Sequence, residues 1–249
     1  MVVDLTRRTL IQSAAVLGGS VALASAGVAQ RTDGRTRYRF FTPDEAAFIE
    51  AAVDRLIPPE PEWAGARAAG VPNYIDLQLA GPYGAGERLF LEGPIKPGTP
   101  QQGYQLGLTP AQVYRTALAA IHERTAARGA AFADASPQAQ DEFLKRLEAG
   151  EADLDGVPSA VFFETLLANT IEGFFADPAY GGNKDMVGWR MIGFPGPYAA
   201  YLGLYTKHGL EYDHEPMSMA DAHRVHGAGH AAPPPAAPAP VVPPAHNHR

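Results

Sequence analysis

The sequence predicts an all-α protein: a single helical domain with two long loops rich in glycine, proline and aromatic residues, followed by a disordered C-terminal tail. Three observations lead there. Helix-start signals recur along the middle of the chain, each followed by an apolar stripe at helical spacing. No stretch alternates apolar and polar residues as a half-buried strand would, and no Asn-Gly hairpin signal appears. The last segment changes composition abruptly to proline, alanine and histidine.

The first helix is announced by "FTPDEAAFIEAAVDRLIPP", where Thr42 is the N-cap, Pro43 the first helical residue and Glu45 the partner in a capping box. Ala46, Ile49, Val53 and Leu56, with Ala52 and Ile57, form its apolar stripe, and Pro58-Pro59 ends it. "LTPAQVYRTALAAIHERTAARG" repeats the device with Thr109, Pro110 and Gln112; Val113, Ala117, Leu118 and Ile121 face inward and Gly129 is the stop. A third helix begins at Ser136-Pro137 and buries Phe143, Leu144 and Leu147. The fourth, "SAVFFETLLANTIEGFFADP", is apolar over too much of its circumference for a surface helix. It is either the central core helix or has one face on a partner. Shorter helical pieces are expected at Pro72–Leu79 and 197–205. Between them lie the long segment Ala80–Gly107 and the stretch Gly173–Gly196, which holds six glycines and is read as a loop built for close approach.

The N-terminus reads as a twin-arginine secretory signal over residues 1–29, with Thr6-Arg7-Arg8-Thr9-Leu10 as its core and Ala24-Ser25-Ala26 and Gly27-Val28-Ala29 as small-residue cleavage patterns. The helical domain is expected over 30–214 and the tail over 215–249. A run of prolines alternating with alanine has almost nothing to bury and favours extended polyproline conformations.

Composition excludes several functions. The formal net charge is −7, without a basic stripe, which argues against nucleic acid. There is no cysteine, hence no disulfide, thiolate-held iron–sulfur cluster, CxxCH haem attachment or thiol nucleophile. No dinucleotide fingerprint, phosphate-binding loop, zinc-protease motif or serine-hydrolase elbow is present. No metal site is assigned. The tail histidines His223, His226, His230, His246 and His248 have no ordered spacing, and His208 and His214 with Glu211 or Asp213 make only a loose set. Glu164, Glu172, Asp177 and Asp185 are the carboxylates from which an acid–base pair for carbohydrate chemistry would be drawn. Ordinary roles account better for two of them, Glu172 within a helix end and Asp177 closing a helix before Pro178.

The runs "FTPDEAAFIEAAVDRLIP", "GPYGAGERLFLEGPIKPGTPQQGYQLGLTPAQVYRTAL" and "GFFADPAYGGNKDMVGWRMIGFPG", in this order over roughly residues 40–200, resemble the gluconate 2-dehydrogenase subunit 3 family. That resemblance implies a small, cofactor-free, non-catalytic subunit of a periplasmic, membrane-associated sugar or sugar-acid dehydrogenase. FAD would belong to a large flavoprotein of the glucose-methanol-choline type, and haem c to a multihaem cytochrome where one is present. The twin-arginine translocase would carry the flavoprotein out together with this chain. On this reading Tyr180, Trp189, Arg190 and Phe194, held by Gly181, Gly182, Asn183 and Pro195, are partner-interface anchors. Internal packing of a rigid loop is the alternative role for the same residues. The histidine- and proline-rich tail departs from the family pattern.

Overall fold

The computed structural model describes residues 37–99, 102–127, 129–197, 203–204, 206–209 and 214–221. The twin-arginine segment, most of the 197–205 piece and the tail histidines lie outside the described residues. Within them the protein is helical, as its capping signals require. Helix α1 spans Pro43–Leu56, and the Thr42 and Glu45 side chains each accept the other's backbone N–H. Helix α2 spans Val71–Leu79. Helix α3, Pro110–Ala126, opens with the same box between Thr109 and Gln112. In α4, Pro137–Glu148, the Ser136 hydroxyl accepts the Ala139 N–H. Helix α5 covers Ser159–Phe175 and the short α6 covers Val187–Ile192.

Two expectations need correction. A two-residue antiparallel pair, β1 (Asp153–Leu154) with β2 (Val157–Pro158), precedes α5. Its signal was the dipeptide Asp155-Gly156, whose φ values of 56° and 92° are those of a tight hairpin turn. The stretch 173–196 is not one loop: it includes the last turn of α5, two 3₁₀ turns and all of α6. Apolar runs this short carry too little periodicity to be recognised as helix. The segment Ala80–Gly107, in contrast, forms turns and irregular chain among its described residues.

Helix α5 is the central element and packs on α1, α2, α3, α4 and α6. Phe162, Leu166 and Phe174 are fully buried, and Phe162 completes an aromatic cluster with Phe48, Phe132 and Phe143. Ile171 on the same helix is 46 % exposed. The helix therefore fills the core and still shows an apolar residue to solvent.

The chain before α1 is bound as a strap. The backbone N–H groups of Arg39, Phe40 and Phe41 donate to the carboxylate of Asp76 on α2 at 2.7, 2.8 and 3.0 Å, and Asp76 is buried. Three donors compensate a carboxylate that would otherwise be costly to bury. Arg115 on α3 donates to Glu45 and to the Phe40 carbonyl, and stands 3.9 Å over the Phe40 ring. Tyr38 donates to Glu50 at 2.8 Å. At the other end, the Met217 N–H reaches the Pro195 carbonyl at 3.3 Å and the Met219 N–H reaches Asp177 at 2.7 Å. Hydrogen bonds thus cross the boundary expected between domain and tail at residue 215.

Replacing Asp76 with alanine removes all three acceptor contacts and is expected to lower the unfolding free energy by about 3 kcal/mol. It should also open the strap to trypsin after Arg37 and Arg39. A urea midpoint and cleavage rate like those of the wild type would show that the strap does not depend on this carboxylate. Burial raises the Glu45 carboxyl, but hydrogen bonds from Arg115 and Thr42 outweigh it and leave the pKa below the ordinary range. The stability this supplies is complete above the unfolded value of about 4.3 and is lost as pH falls through the folded one. Arg115→Met should therefore flatten the acid limb of the stability–pH curve, read by thermal melts between pH 3 and 6.

Candidate functional site

Three glycines of the stretch 173–196, Gly173, Gly182 and Gly188, bring the chain against itself. A Cβ on Gly182 would stand 2.2 Å from the Gly173 carbonyl oxygen, and one on Gly188 would stand 2.3 Å from the Phe174 carbonyl oxygen. One on Gly173 would come within 2.7 Å of the Tyr74 ring on α2. Backbone thus lies on backbone at the end of α5, a spacing no larger residue permits. Polar groups lock the contact. Asn73 Nδ2 donates to the Gly181 carbonyl at 2.9 Å, and the Lys184 N–H donates to the Ala69 carbonyl at 2.8 Å.

Asn183 is fully buried in this junction. Its Nδ2 donates to the Ala176 carbonyl at 2.9 Å, while its Oδ1 accepts the Gly188 N–H at 2.8 Å. Trp189 is 5 % exposed, its ring NH donates to the Phe175 carbonyl at 2.7 Å, and its ring meets Phe194 edge-on at 5.1 Å. Gly182, Asn183 and Trp189 therefore do internal work, and Phe194, Pro195 and Gly181 are half-buried beside them. Tyr180 and Arg190 are exposed, and Arg190 pairs with Glu215 at 3.2 Å. The sequence reading did not single out Met191 and Ile192, which are 38 % and 59 % exposed. Their signal was an apolar pair following Trp189-Arg190 in a segment read as loop.

The four carboxylates have separate surroundings. Asp177 is buried and both oxygens accept backbone N–H groups, from Ala179 at 2.9 Å and Met219 at 2.7 Å. Glu164 and Asp185 are exposed. Glu172 is exposed and accepts from Asn169 at 3.2 Å. A cleft of about 230 Å³ between α1, α3 and the 131–133 turn has Phe48 and Phe132 in its wall and Asp44, Glu45 and His122 among its polar residues; none of the four carboxylates lines it. Among the described residues no three His, Asp or Glu side chains cluster closely enough to hold a metal ion. His208 and His214 are exposed, and Glu211 and Asp213 lie outside the described residues.

Around Glu172 the tyrosines gather. Asn169, buried in the middle of α5, accepts from the Tyr114 hydroxyl at 2.9 Å and from Tyr83 at 3.3 Å. Burial, then the Glu172 charge, then the neighbouring Tyr83 and Tyr180 phenols push Tyr74 up to about 12. Burial, the largest influence, raises Tyr83; the Asn169 hydrogen bond opposes it and the Glu172 charge adds to it more weakly. Tyr104 is raised to about 12, mainly by burial. These hydroxyls remain neutral donors across the physiological range.

Gly182→Ala and Gly188→Ala are expected to cost about 3 kcal/mol or more, because a backbone carbonyl must move. Gly193→Ala meets nothing within 4 Å and adds only the cost of its φ of 66°, about 1 kcal/mol. Equal urea midpoints for the three variants would refute the close-packing account.

The sequence model of the family described as Gluconate 2-dehydrogenase subunit 3 matches residues 43–196, more than half of the 249-residue chain. No curated protein and no solved structure matches it.

Proposed function

Because the chain belongs to the gluconate 2-dehydrogenase subunit 3 family, we propose that it is the non-catalytic small subunit of a membrane-associated, FAD-dependent sugar or alcohol dehydrogenase complex. In this reading it supports folding and assembly of the flavoprotein subunit and escorts it through the twin-arginine translocase into the periplasm. FAD and substrate oxidation belong to the flavoprotein, of the glucose-methanol-choline type. Haem c belongs to a cytochrome subunit in complexes that have one, and the whole is peripheral to the inner membrane. The substrate is determined in the flavoprotein.

The observation that carries this reading is the matched segment itself. It coincides with the folded core, and its last thirty residues or so leave Ile171, Tyr180, Met191 and Ile192 in solvent while Gly173, Gly182, Gly188, Asn183, Asp177 and Trp189 are engaged internally. Exposed large apolar residues beside a rigid junction suit a lasting protein interface better than a substrate pocket.

Capture of the tagged chain from its native host tests this. A large subunit in equal amount, with flavin absorbance in the eluate, is expected. Ile192→Asp should reduce the captured flavoprotein at least tenfold while leaving the melting temperature of the small subunit unchanged. Arg7→Lys with Arg8→Lys should leave both subunits in the cytoplasm. A chain that emerges alone and colourless under gentle conditions would overturn the proposal.

A further inference from the structure

The second half of α5 carries one carboxylate with an unusual setting and no use in the packing. Glu172 is exposed, and only its Oε2 is engaged, by the Asn169 amide at 3.2 Å. Among the described residues no Lys, Arg or His pairs with it, whereas Glu45, Glu50, Asp141 and Glu215 each hold an arginine. Its surroundings are aromatic. Asn169 Nδ2 also donates to the Tyr83 hydroxyl at 3.1 Å, which places Tyr83 beside the carboxylate. The ring of Tyr74 lies on Gly173, the residue after Glu172, so closely that a Cβ there would be 2.7 Å from it. Tyr180 stands two residues before Gly182, which closes on Gly173 and on Tyr74. Tyr83 and Tyr180 are 37 % and 52 % exposed.

A single negative charge flanked by neutral tyrosines is complementary to a cation. The carboxylate supplies the charge, tyrosine rings attract a cation through their quadrupole, and the hydroxyls supply polar contacts at the rim. A sugar acid, itself an anion, is repelled by the same charge. We propose that Glu172, with Tyr74, Tyr83 and Tyr180, is a recognition site for an arginine side chain of the flavoprotein subunit. The proposal rests on the assembly role given above and assigns the charged contact within it. Asn169, tied to Tyr83 and Tyr114, positions Glu172 from below and need not touch the partner. The site is preformed, so little ordering is required on binding.

The test uses the co-expressed, purified complex, with dissociation of the two subunits measured by surface-immobilised binding over 20–300 mM salt. Glu172→Gln should weaken binding ten- to a hundredfold at low salt and flatten the salt dependence. Tyr180→Ala should weaken it roughly tenfold, and Glu172→Lys should abolish it. Glu164→Gln, an exposed carboxylate two turns earlier on the same helix, should leave both affinity and salt slope as in the wild type. Unchanged melting temperatures for the Glu172 variants keep folding out of the comparison. If the wild-type complex forms and Glu172→Gln binds equally well, the arginine site is wrong and the assembly role stands. If Glu164→Gln has the same effect as Glu172→Gln, general electrostatics replaces the site. If no complex forms with the wild type, both proposals fall.

Discussion

The contact on which most of this structure depends is the meeting of backbone with backbone at the end of α5. Gly173, Gly182 and Gly188 leave no room for a single added carbon, and the chain there is held by Asn73, Asn183 and the Ala69 carbonyl. Such a junction is rigid for a simple reason: interiors are close-packed, and a carbonyl against a Cα has no alternative rotamer to adopt. Since α2 supplies both Asn73 and Tyr74, the junction also fixes α2 against the central helix.

Fixing α2 has consequences at both of its faces. Asp76 lies one turn beyond Asn73 and receives three N–H groups from the strap before α1. Tyr74 lies between the two and covers Gly173 beside Glu172. One short helix therefore connects the entry of the chain into the domain with the exposed aromatic region near Tyr180. Displacing α2 by an ångström would loosen the strap and rearrange the tyrosines together. The energy involved is not evenly spread: a carboxylate with three donors contributes several times what an exposed pair such as Arg190–Glu215 does.

Much of this was legible in the sequence, and for physical reasons. Capping boxes are local chemistry, written within four residues, so Thr42-Glu45, Thr109-Gln112 and the Ser136 cap were readable without knowledge of the fold. Apolar stripes told which faces of α1, α3 and α4 go inward. What could not be read was the partner of each glycine and of Asn183. Close approach is a relation between distant segments, and a glycine-rich stretch looks the same whether it receives a ligand or its own backbone. The same limit applies to Trp189, for which the resemblance left partner contact and internal packing both open, and which the structure sets against Phe194 with its ring NH on the Phe175 carbonyl. The Asp155-Gly156 hairpin was visible in principle, but strands of two residues offer no alternation to detect.

The excess apolarity of α5 is explained only when its one buried amide is considered. Among the described residues no buried side-chain polar atom lacks a partner, and Asn169 meets that condition in the most apolar helix by bonding to Tyr83, Tyr114 and Glu172. Rotating α5 by even one residue would strand the Tyr114 hydroxyl in the core, at a cost of about 1–3 kcal/mol, and bury the Glu172 charge beside it at greater cost. A helix apolar nearly all round would otherwise have other acceptable rotations, because Val161 and Ile171 could take an inward place. The amide removes that ambiguity. It leaves Ile171 and Glu172 exposed, so the same residue that fixes the core determines which apolar and charged groups the protein presents to a partner.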